Sequence, residues 1–443
     1  MISWSIDEMT EPRYNCDLAF FSYFFPPETG AAAVRLGEFA KGLSELGRKL
    51  EVLAPMPNYP SGKIYKNYPG LSYHRELWNG INVLRVPLIP PKGQGGARRM
   101  LSYLTFNLSA EWAKTFLLNA RPGAVFFSSP PVPAILPALR MAKRRRVPFI
   151  LDVRDLWPEI AVALGLMREG SFIHRYLSGI VRHAYHAASA IIVTTHGDAD
   201  AVAKWGIDPG RIKLIPNGAN TEIFRPDENA RREIRTKLGI GDDLVVVYSG
   251  SFGRGMNDLD TLLETAFLLR EAKGVRFLLV GEGDKHCELK EQASKRNISN
   301  ITYIPSQPSE ELNGYLNAAD IGFIPRRELA CDTGGNVPVK MFEYMAVGLP
   351  VLLTSIPGCE AERIHRDSGS AGAWFPPGDA KKASEWIYEA KGNSDKLKTG
   401  AKGAREFVLG NYNRAGGVRK LNDILSEVLG EDGPDADDLG THI

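Results

Sequence analysis

The sequence lacks the features of an exported, membrane-spanning or nucleic-acid-binding protein. Its four cysteines form no CxxC pair and no zinc-ligand spacing, which predicts reduced thiols. No apolar run approaches the roughly 20 residues that span a bilayer, and the first residues carry acids around no apolar core, unlike a signal peptide. The net charge of +2 is too small to indicate a nucleic-acid partner. We therefore expect a cytoplasmic protein.

Chain length and the order of predicted elements favour a two-domain α/β protein. At 443 residues the chain exceeds what one hydrophobic core usually supports. Short apolar strands alternate with helices in two sets, separated by the turn-rich segment 213–230. Such alternation is typical of doubly wound parallel sheets. The predicted strand segments of the first set are 18–25, 49–55, 81–89, 124–130, 149–153 and 188–196. In the second set, 244–258 and 275–284 are each predicted to be a strand that runs into a glycine-bearing turn, and 301–305, 321–325 and 351–354 are further strands.

The stretch 332–360 has the pattern of a nucleotide site. It reads as a glycine-rich loop, a short helix and a buried strand, and its marked residues are Gly334, Gly335, Pro338, Lys340 and Glu343. Glycines let a backbone approach a ligand, and a helix N-terminus presents free N–H groups to an anion. A carboxylate farther along the helix does not favour phosphate, but it suits sugar hydroxyls. We therefore predict a nucleotide site here.

Charged residues after other predicted strands are further candidates. One buried strand ends in Arg154 and Asp155, with Glu159 beyond, and α/β proteins place ligands at such strand ends. A salt-bridged loop is the alternative at this position. His196 also follows a strand, where a structural hydrogen-bonding role is the commoner one. The turn after the first strand, near Gly30, carries no GxGxxG, which counts against a dinucleotide dehydrogenase.

One helix start has a composition that suits a membrane surface. The segment 92–120 is predicted to be a basic loop entering a long helix, and Arg98 and Arg99 stand beside Leu101 and Phe106. Basic and bulky apolar residues together suit contact with anionic lipid headgroups. A core-facing helix with a solvated basic end is the alternative.

Six segments give the chain a resemblance to a known family. They are PETGAAAVR, DVRDLWPE, IPNGANTEIFRP, YSGSFG, LLVGEGD and PVKMFEYMAVGLPVL. On these segments the chain is similar to family four of the retaining glycosyltransferases, and within it to bacterial polysaccharide and O-antigen enzymes of the N-acetylfucosamine-transferase type. The resemblance implies the α/β GT-B fold, in which two Rossmann-like, doubly wound parallel-sheet domains face a central cleft.

The resemblance also implies how the chain is divided. An N-terminal acceptor-binding domain is expected at 1–217 and a nucleotide-sugar-binding domain at 218–403. A C-terminal helix at 404–430 is expected to pack back on the first domain, and the acidic tail 431–443 is expected to be disordered.

Roles for individual residues follow from the same resemblance. Glu343 matches the carboxylate that bonds the ribose hydroxyls of the donor, and Gly30 matches a loop that closes over the phosphates and the acceptor. Other donor-binding positions lie in two turns and beside the nucleobase. They are Gly250, Ser251, Tyr303, Ile304, Asn336, Val337 and Pro338.

Two positions depart from the family pattern. The glutamate that contacts the donor sugar in many members is Gly335 here, with Asp332 as the nearest carboxylate. The Arg and Lys presented to the diphosphate correspond to Ser251 and Asn257, which leaves Arg254 as the cation of that loop. A guanidinium suits bidentate phosphate binding. The catalytic candidates are therefore Arg254, Lys340, Asp155 and Asp332.

The implied reaction is transfer of a sugar from a nucleotide-sugar donor, expected to be UDP-linked, with retention. The acceptor would be a lipid-linked or oligosaccharide substrate of cell-surface polysaccharide synthesis, used at the inner face of the membrane. Neither a metal nor another cofactor is expected, and the DxD pairs at 198–200 and 258–260 are interpreted as surface carboxylates. A nucleotide-sugar epimerase of the same fold and a nucleotide-binding homologue without catalysis are the alternatives.

Overall fold

The chain forms two compact units, which we describe separately. The computed structural model describes residues 14–59, 61–70, 72–91, 96–116, 118, 120–253, 256–328, 337–369 and 372–431. Unit 1 comprises the described residues up to Ile215 and those from Gly417 onward, and unit 2 runs from Pro216 to Gly416. The boundaries predicted from the sequence, at 217/218 and 403/404, concern independently folding domains and stay predictions.

Unit 1 contains an eight-stranded sheet with helices on both faces. Its strands are β1 (Tyr14–Phe21), β2 (Leu50–Pro55), β3 (His74–Trp78), β4 (Ile81–Val86), β5 (Ala120–Ser129), β6 (Phe149–Val153), β7 (Ala190–Val193) and β8 (Ile212–Leu214). Its first helices are α1 (Ala31–Glu45), α2 (Gly96–Phe116), α3 (Ile135–Arg145), α4 (Glu159–Ala163), α5 (Phe172–Ala187) and α6 (His196–Ala203). The strand order is β3-β4-β2-β1-β5-β6-β7-β8.

The first strand shows how the sheet of unit 1 is buried. Successive side chains of a strand point to opposite faces. Ala19 and Phe21 of β1 lie in a core cluster with α2, α3 and α5, whereas Leu18 and Phe20 lie in a second cluster with α1. Both faces are covered, which explains why the strand sequences are continuous apolar runs.

One strand of unit 1 departs from the predicted parallel arrangement. The edge strand β3 pairs with β4 antiparallel, whereas the other neighbouring pairs are parallel. The two strands are joined at Asn79 and Gly80, both with positive φ. Asn-Gly is the preferred pair for a two-residue hairpin turn. This turn signal was present in the sequence, but β3 itself was not predicted.

Unit 2 contains a six-stranded, fully parallel sheet among its described residues. Its strands are β9 (Leu244–Ser249), β10 (Val275–Val280), β11 (Ile301–Ile304), β12 (Ile321–Pro325), β13 (Val351–Thr354) and β14 (Ala373–Phe375), in the order β11-β10-β9-β12-β13-β14. Its helices are α7 (Glu228–Leu238), α8 (Leu259–Leu268), α9 (His286–Lys295), α10 (Ser309–Asn317), α11 (Val339–Ala346), α12 (Glu360–Asp367), α13 (Ala380–Lys391) and α14 (Ser394–Asn411).

The central strand of unit 2 alternates in the same way. Val245 and Val247 of β9 pack with α10 and α11, and Val246 and Tyr248 pack with α8 and α13. This alternation leaves Tyr248 near the carboxyl end of β9, where parallel sheets place ligands.

The last helix, α15 (Arg414–Leu429), ends in unit 1. Val418, Leu421 and Leu425 recur at helical spacing and are buried in the cluster that contains Leu18 and Phe20 of β1. No helix in the described part of the chain is long and apolar enough to cross a bilayer.

Candidate functional site

The carboxyl edge of the unit 2 sheet is built by two loops that lie backbone against backbone. Gly250, which follows β9, has φ +136°, and its N–H donates to the carbonyl of Val280 at 2.9 Å. A Cβ on Gly281, which follows β10, would lie 1.9 Å from the carbonyl oxygen of Gly250. Gly281 in turn donates its N–H to the carbonyl of Ile304 at 2.9 Å. The predicted residues Gly250 and Ile304 are thus linked through Gly281.

Lys340 places a buried ammonium group at this edge. Its Nζ lies 3.9 Å from the ring centroid of Tyr248, within the range of a cation–π contact. A Cβ on Gly250 would lie 2.7 Å from the same Nζ. The Nζ is buried and has no hydrogen-bond partner among the described residues. A buried charge normally has a partner, because its desolvation is costly. The geometry therefore suits an anionic ligand.

Two neighbouring charges act on Lys340 in opposite directions. Burial, followed by the nearby positive charge of Arg326, lowers the pKa of Lys340 to about 7, while Glu343 raises it. Arg326 follows β12 and is 2% exposed, and its backbone N–H donates to Thr354. Two cations in one buried region attract an anion more strongly than either does in water.

A row of rings runs from Tyr248 toward the predicted nucleobase segment. Ring centroids are 5.9 Å apart between Tyr248 and Phe252, 5.5 Å between Phe252 and His286, and 5.7 Å between His286 and Tyr303. The hydroxyl of Tyr303 is buried with no hydrogen-bond partner among the described residues, and burial raises the pKa of Tyr303. The row connects Tyr303 with the ring beneath Lys340.

The remaining predicted residues of unit 2 fall into two groups. Val337 is buried and Pro338 is the N-cap residue of α11, while Glu343 is half-buried one turn beyond Lys340. Ser251 is exposed, and its carbonyl accepts the Tyr248 hydroxyl at 2.9 Å. Five residues of the predicted site lie outside the described residues: Arg254, Asp332, Gly334, Gly335 and Asn336.

Sequence reasoning did not identify three residues that shape this edge. Tyr248 and Arg326 were overlooked, although Arg326 directly follows a predicted strand and the rule applied to Arg154 would have selected it. Tyr344 holds α11 against β9, because its hydroxyl accepts hydrogen bonds from the N–H and Oγ of Ser249 at 2.7 and 3.1 Å. No sequence pattern marks that contact.

In unit 1 the carboxyl edge carries a closed polar network. Asp152 is fully buried and accepts hydrogen bonds from Arg35 at 3.3 Å and from Ser128 at 2.6 Å. Arg154 donates to Ser128 at 3.1 Å. Asp155 follows directly and is half-buried, and its carbonyl accepts the N–H of Trp157.

Gly30 is the N-cap residue of α1 in unit 1. A Cβ at this position would lie 2.8 Å from the ring of Tyr59, so any larger residue would displace that ring. The assignments of Gly30 and Asp155 to the site stay predictions.

Three of the four carboxylates in the two DxD pairs have partners within the fold. Asp258 caps α8 through the N–H and hydroxyl of Thr261, and Asp260 pairs with Lys285 at 3.6 Å. Asp198 is buried and accepts the hydroxyl of Thr194 at 3.0 Å. Within the described ranges, no group of three His, Cys, Asp or Glu side chains is arranged to hold a metal ion.

The helix α2 has both a core-facing side and an exposed side with basic and apolar residues. Phe106 is fully buried in the core, as a core-facing helix requires. Arg98 and Arg99 are exposed. The same helix also exposes four large apolar side chains at helical spacing, which are Leu101, Leu104, Leu108 and Trp112.

Two family models match the chain in succession. A glycosyl transferase 4-like domain matches residues 30–218, and a glycosyl transferases group 1 domain matches residues 243–390. Together they take in well over half of the sequence.

Two relatives have related names. The probable glycosyltransferase WbjE of Pseudomonas aeruginosa is 28% identical over 61% of this chain and 67% of its own length. The amylovoran biosynthesis glycosyltransferase AmsK of Erwinia amylovora is 28% identical over 51% of this chain. The match spans only 50% of the length of AmsK.

Solved structures share the fold at low sequence identity. Sucrose-phosphate synthase from Thermosynechococcus elongatus superposes with a TM-score of 0.71 at 15% identity, covering 94% of this chain and 100% of that one. Anabaena HepE, crystallised with UDP-glucose, gives a TM-score of 0.66 at 15% identity, covering 93% of this chain and 100% of that one. These likenesses confirm the predicted GT-B fold.

Proposed function

We propose that this chain, which belongs to the GT-B glycosyltransferases, transfers a sugar from a UDP-linked donor to a lipid-linked or oligosaccharide acceptor. The observation that carries the proposal is the buried ammonium of Lys340, which has no hydrogen-bond partner among the described residues and lies against the loop of Gly250. A relative named for amylovoran biosynthesis and a fold neighbour crystallised with UDP-glucose support the acceptor class and the nucleotide.

In the proposed reaction the chain stabilises the leaving diphosphate. Negative charge develops on that group as the sugar–phosphate bond breaks, and preorganised positive groups lower the barrier. Lys340 and the N-terminus of α11 supply positive charge, and Arg254, the cation predicted from the sequence, is assigned to the same diphosphate. The proposal includes retention at the anomeric carbon and turnover without a metal, with Asp155 and Asp332 as further catalytic candidates.

Glu343 is assigned to the ribose of the donor, and calorimetry with UDP tests the assignment. Glu343→Ala removes a charge-assisted hydrogen bond worth about 1.5–3 kcal/mol, so UDP affinity is expected to fall by about tenfold to a hundredfold. Glu310→Ala is the matched control, because Glu310 is an exposed glutamate in the first turn of α10. Equal UDP affinity in wild type and Glu343→Ala would refute the ribose assignment.

Turnover with a panel of UDP-sugars tests the reaction itself. UDP release that requires an added saccharide acceptor supports a transferase, and the anomeric configuration of the product, read by NMR, tests retention. Unchanged rates in EDTA support turnover without a metal. Isomerisation of the donor without an acceptor would instead identify an epimerase, and binding without turnover would identify a non-catalytic homologue.

The exposed face of α2 is the proposed membrane contact. It combines Arg98 and Arg99 with the exposed Leu104, Leu108 and Trp112, a composition that suits an anionic bilayer surface. Arg98→Ala with Arg99→Ala is expected to reduce co-flotation with vesicles rich in anionic lipid. Activity on a water-soluble acceptor should stay intact. Unchanged flotation of the double variant would remove this face from the proposal.

A further inference from the structure

A cavity lies at the carboxyl edge of the unit 1 sheet. It has a volume of about 820 Å³, within the size range of small-molecule sites. Its walls come from the loop after β1, from the connection between β2 and β3, and from β3 itself. The lining residues used below are Lys63, Tyr65, Lys66, Tyr68, His74 and Glu76. All of them belong to unit 1, so the cavity is complete within that unit.

A buried arginine braces the walls of this cavity. Arg85 on β4 donates hydrogen bonds to the carbonyls of Pro26, in the loop that follows β1, and of Pro55, the last residue of β2. It also donates to the carboxylate of Glu76 at 2.7 Å. The Arg85 guanidinium therefore holds the loop after β1, the end of β2 and the lining strand β3 in a single arrangement.

The connection that carries the two lysines is held at several points. Oε1 of the buried Glu28 accepts the N–H groups of Asn58 and Tyr59 at 2.8 and 2.9 Å. The hydroxyl of Tyr65 donates to the carbonyl of Tyr59 at 2.7 Å. The segment around Lys63 is therefore bound to the loop after β1 and to itself, which makes it a preorganised wall.

The charges around the cavity leave an excess of positive charge. Lys63 and Lys66 are exposed at the cavity, and neither forms an ion pair with a described residue. The carboxylate in the lining, Glu76, is neutralised by Arg85 and accepts the hydroxyl of Tyr68 at 3.0 Å. Burial raises the pKa of Tyr68 to about 12, so its hydroxyl keeps the proton that it donates. The free charge of the cavity is therefore that of two ammonium groups.

We infer that this cavity binds the phosphate-bearing end of a sugar phosphate, as the anchor of the acceptor. Two unpaired ammonium groups select an anion, and phosphate offers several acceptor oxygens to their donors. Aromatic walls from Tyr65 and Tyr68 and polar groups such as His74 give room and contacts for the attached sugar. The inference rests on the proposed transferase function, because it assigns the acceptor to unit 1 and leaves the donor to unit 2.

Binding of N-acetylglucosamine 1-phosphate to the full chain tests the inference. Calorimetry compares it with neutral N-acetylglucosamine and with inorganic phosphate. The sugar phosphate is expected to bind most tightly, and Lys63→Ala with Lys66→Ala is expected to weaken it by about tenfold or more, as for a lost charge-assisted hydrogen bond. Lys41→Ala with Lys49→Ala is the matched control, since both lysines are exposed in unit 1 and Lys49 precedes the amino end of β2.

Several outcomes would overturn the inference. These are absence of sugar phosphate binding, equal affinity for inorganic phosphate or for the neutral sugar, and equal affinity in wild type and the Lys63 and Lys66 double variant. UDP affinity, measured on the same variants, separates this inference from the proposed function. If UDP binds but the sugar phosphate does not, the inference alone fails. If UDP does not bind, the proposed function fails whatever the cavity does.

Discussion

Both sheets carry a buried charged residue at the carboxyl edge, but the two residues differ in whether other side chains hydrogen-bond to them. In unit 1, the buried Asp152 is satisfied from within, by Arg35 at 3.3 Å and by Ser128 at 2.6 Å. In unit 2, the ammonium of Lys340 is buried against Tyr248 and has no hydrogen-bond partner among the described residues. The first arrangement is closed and the second is open to an anion.

This difference separates two meanings of a charged residue at a strand end. Burying an ion pair costs desolvation free energy, and the attraction between the two charges offsets that cost. Such a pair therefore needs no ligand. A buried ammonium that forms no hydrogen bond retains part of its desolvation cost until an anionic ligand binds, which makes ligand binding more favourable. The contrast predicts that removing the Asp152 carboxylate lowers stability without altering nucleotide affinity, and that removing the Lys340 ammonium lowers nucleotide affinity without lowering stability.

The largest effect is expected from Asp152→Ala. It removes the buried carboxylate that accepts hydrogen bonds from Arg35 and Ser128, and breaking a buried pair from one side costs about 3–5 kcal/mol. Hydrogen exchange of the amides in β5 and β6 measures the loss as faster local opening. UDP affinity should stay within twofold or so of wild type, because the donor is assigned to unit 2. A large loss of UDP affinity with unchanged hydrogen-exchange rates would contradict the structural role given to Asp152.

The next effect is expected from Lys340→Met. Methionine keeps the apolar contact with Tyr248 but removes the ammonium, so UDP affinity should fall by about tenfold to a hundredfold. Stability of unit 2 should rise by roughly 1–3 kcal/mol, because a buried ammonium that has no hydrogen-bond partner among the described residues is lost. Lys237→Met is the control, since Lys237 is an exposed lysine of unit 2 in the last turn of α7. Equal UDP affinity in wild type and Lys340→Met would contradict the open-site interpretation.

The fold was largely predictable from the sequence, because buried parallel strands are recognisable as continuous apolar runs. The hydrophobic run of β9 and the turn at Gly250 were both recognised. Hairpin β3–β4 was missed because the alternating, half-exposed sequence of β3 has no such run, although Asn79-Gly80 signalled its turn.

The candidate site was less predictable than the fold. The residues that follow each strand could be identified from the sequence, and Lys340 could be identified as a candidate for the nucleotide site. The contact of its Nζ with Tyr248 could not be read, because it depends on how α11 is seated against β9 through Tyr344. Whether a charged side chain is paired depends on its three-dimensional neighbours, as the contrast between Asp152 and Lys340 shows.

The smallest expected effect is a pH dependence of UDP affinity that arises from Lys340. The pKa of Lys340 is about 7 in the unliganded protein, because burial and Arg326 disfavour the charged form. A bound diphosphate favours the charged form and raises that pKa. Above pH 7 the lysine must therefore take up a proton when UDP binds, whereas below pH 7 it is charged in both states.

The sign of the effect follows from this proton uptake. UDP affinity should fall as pH rises above 7, by at most about tenfold per pH unit, and should be flatter below 7 as far as Lys340 is concerned. The terminal phosphate of UDP, with a pKa of about 6, is fully ionised above pH 7 and does not contribute there. In Lys340→Arg the guanidinium stays charged, so the decline above pH 7 should disappear. Calorimetry in buffers of different ionisation enthalpy would measure the uptake directly, and parallel affinity curves for wild type and Lys340→Arg would show that Lys340 does not meet the diphosphate.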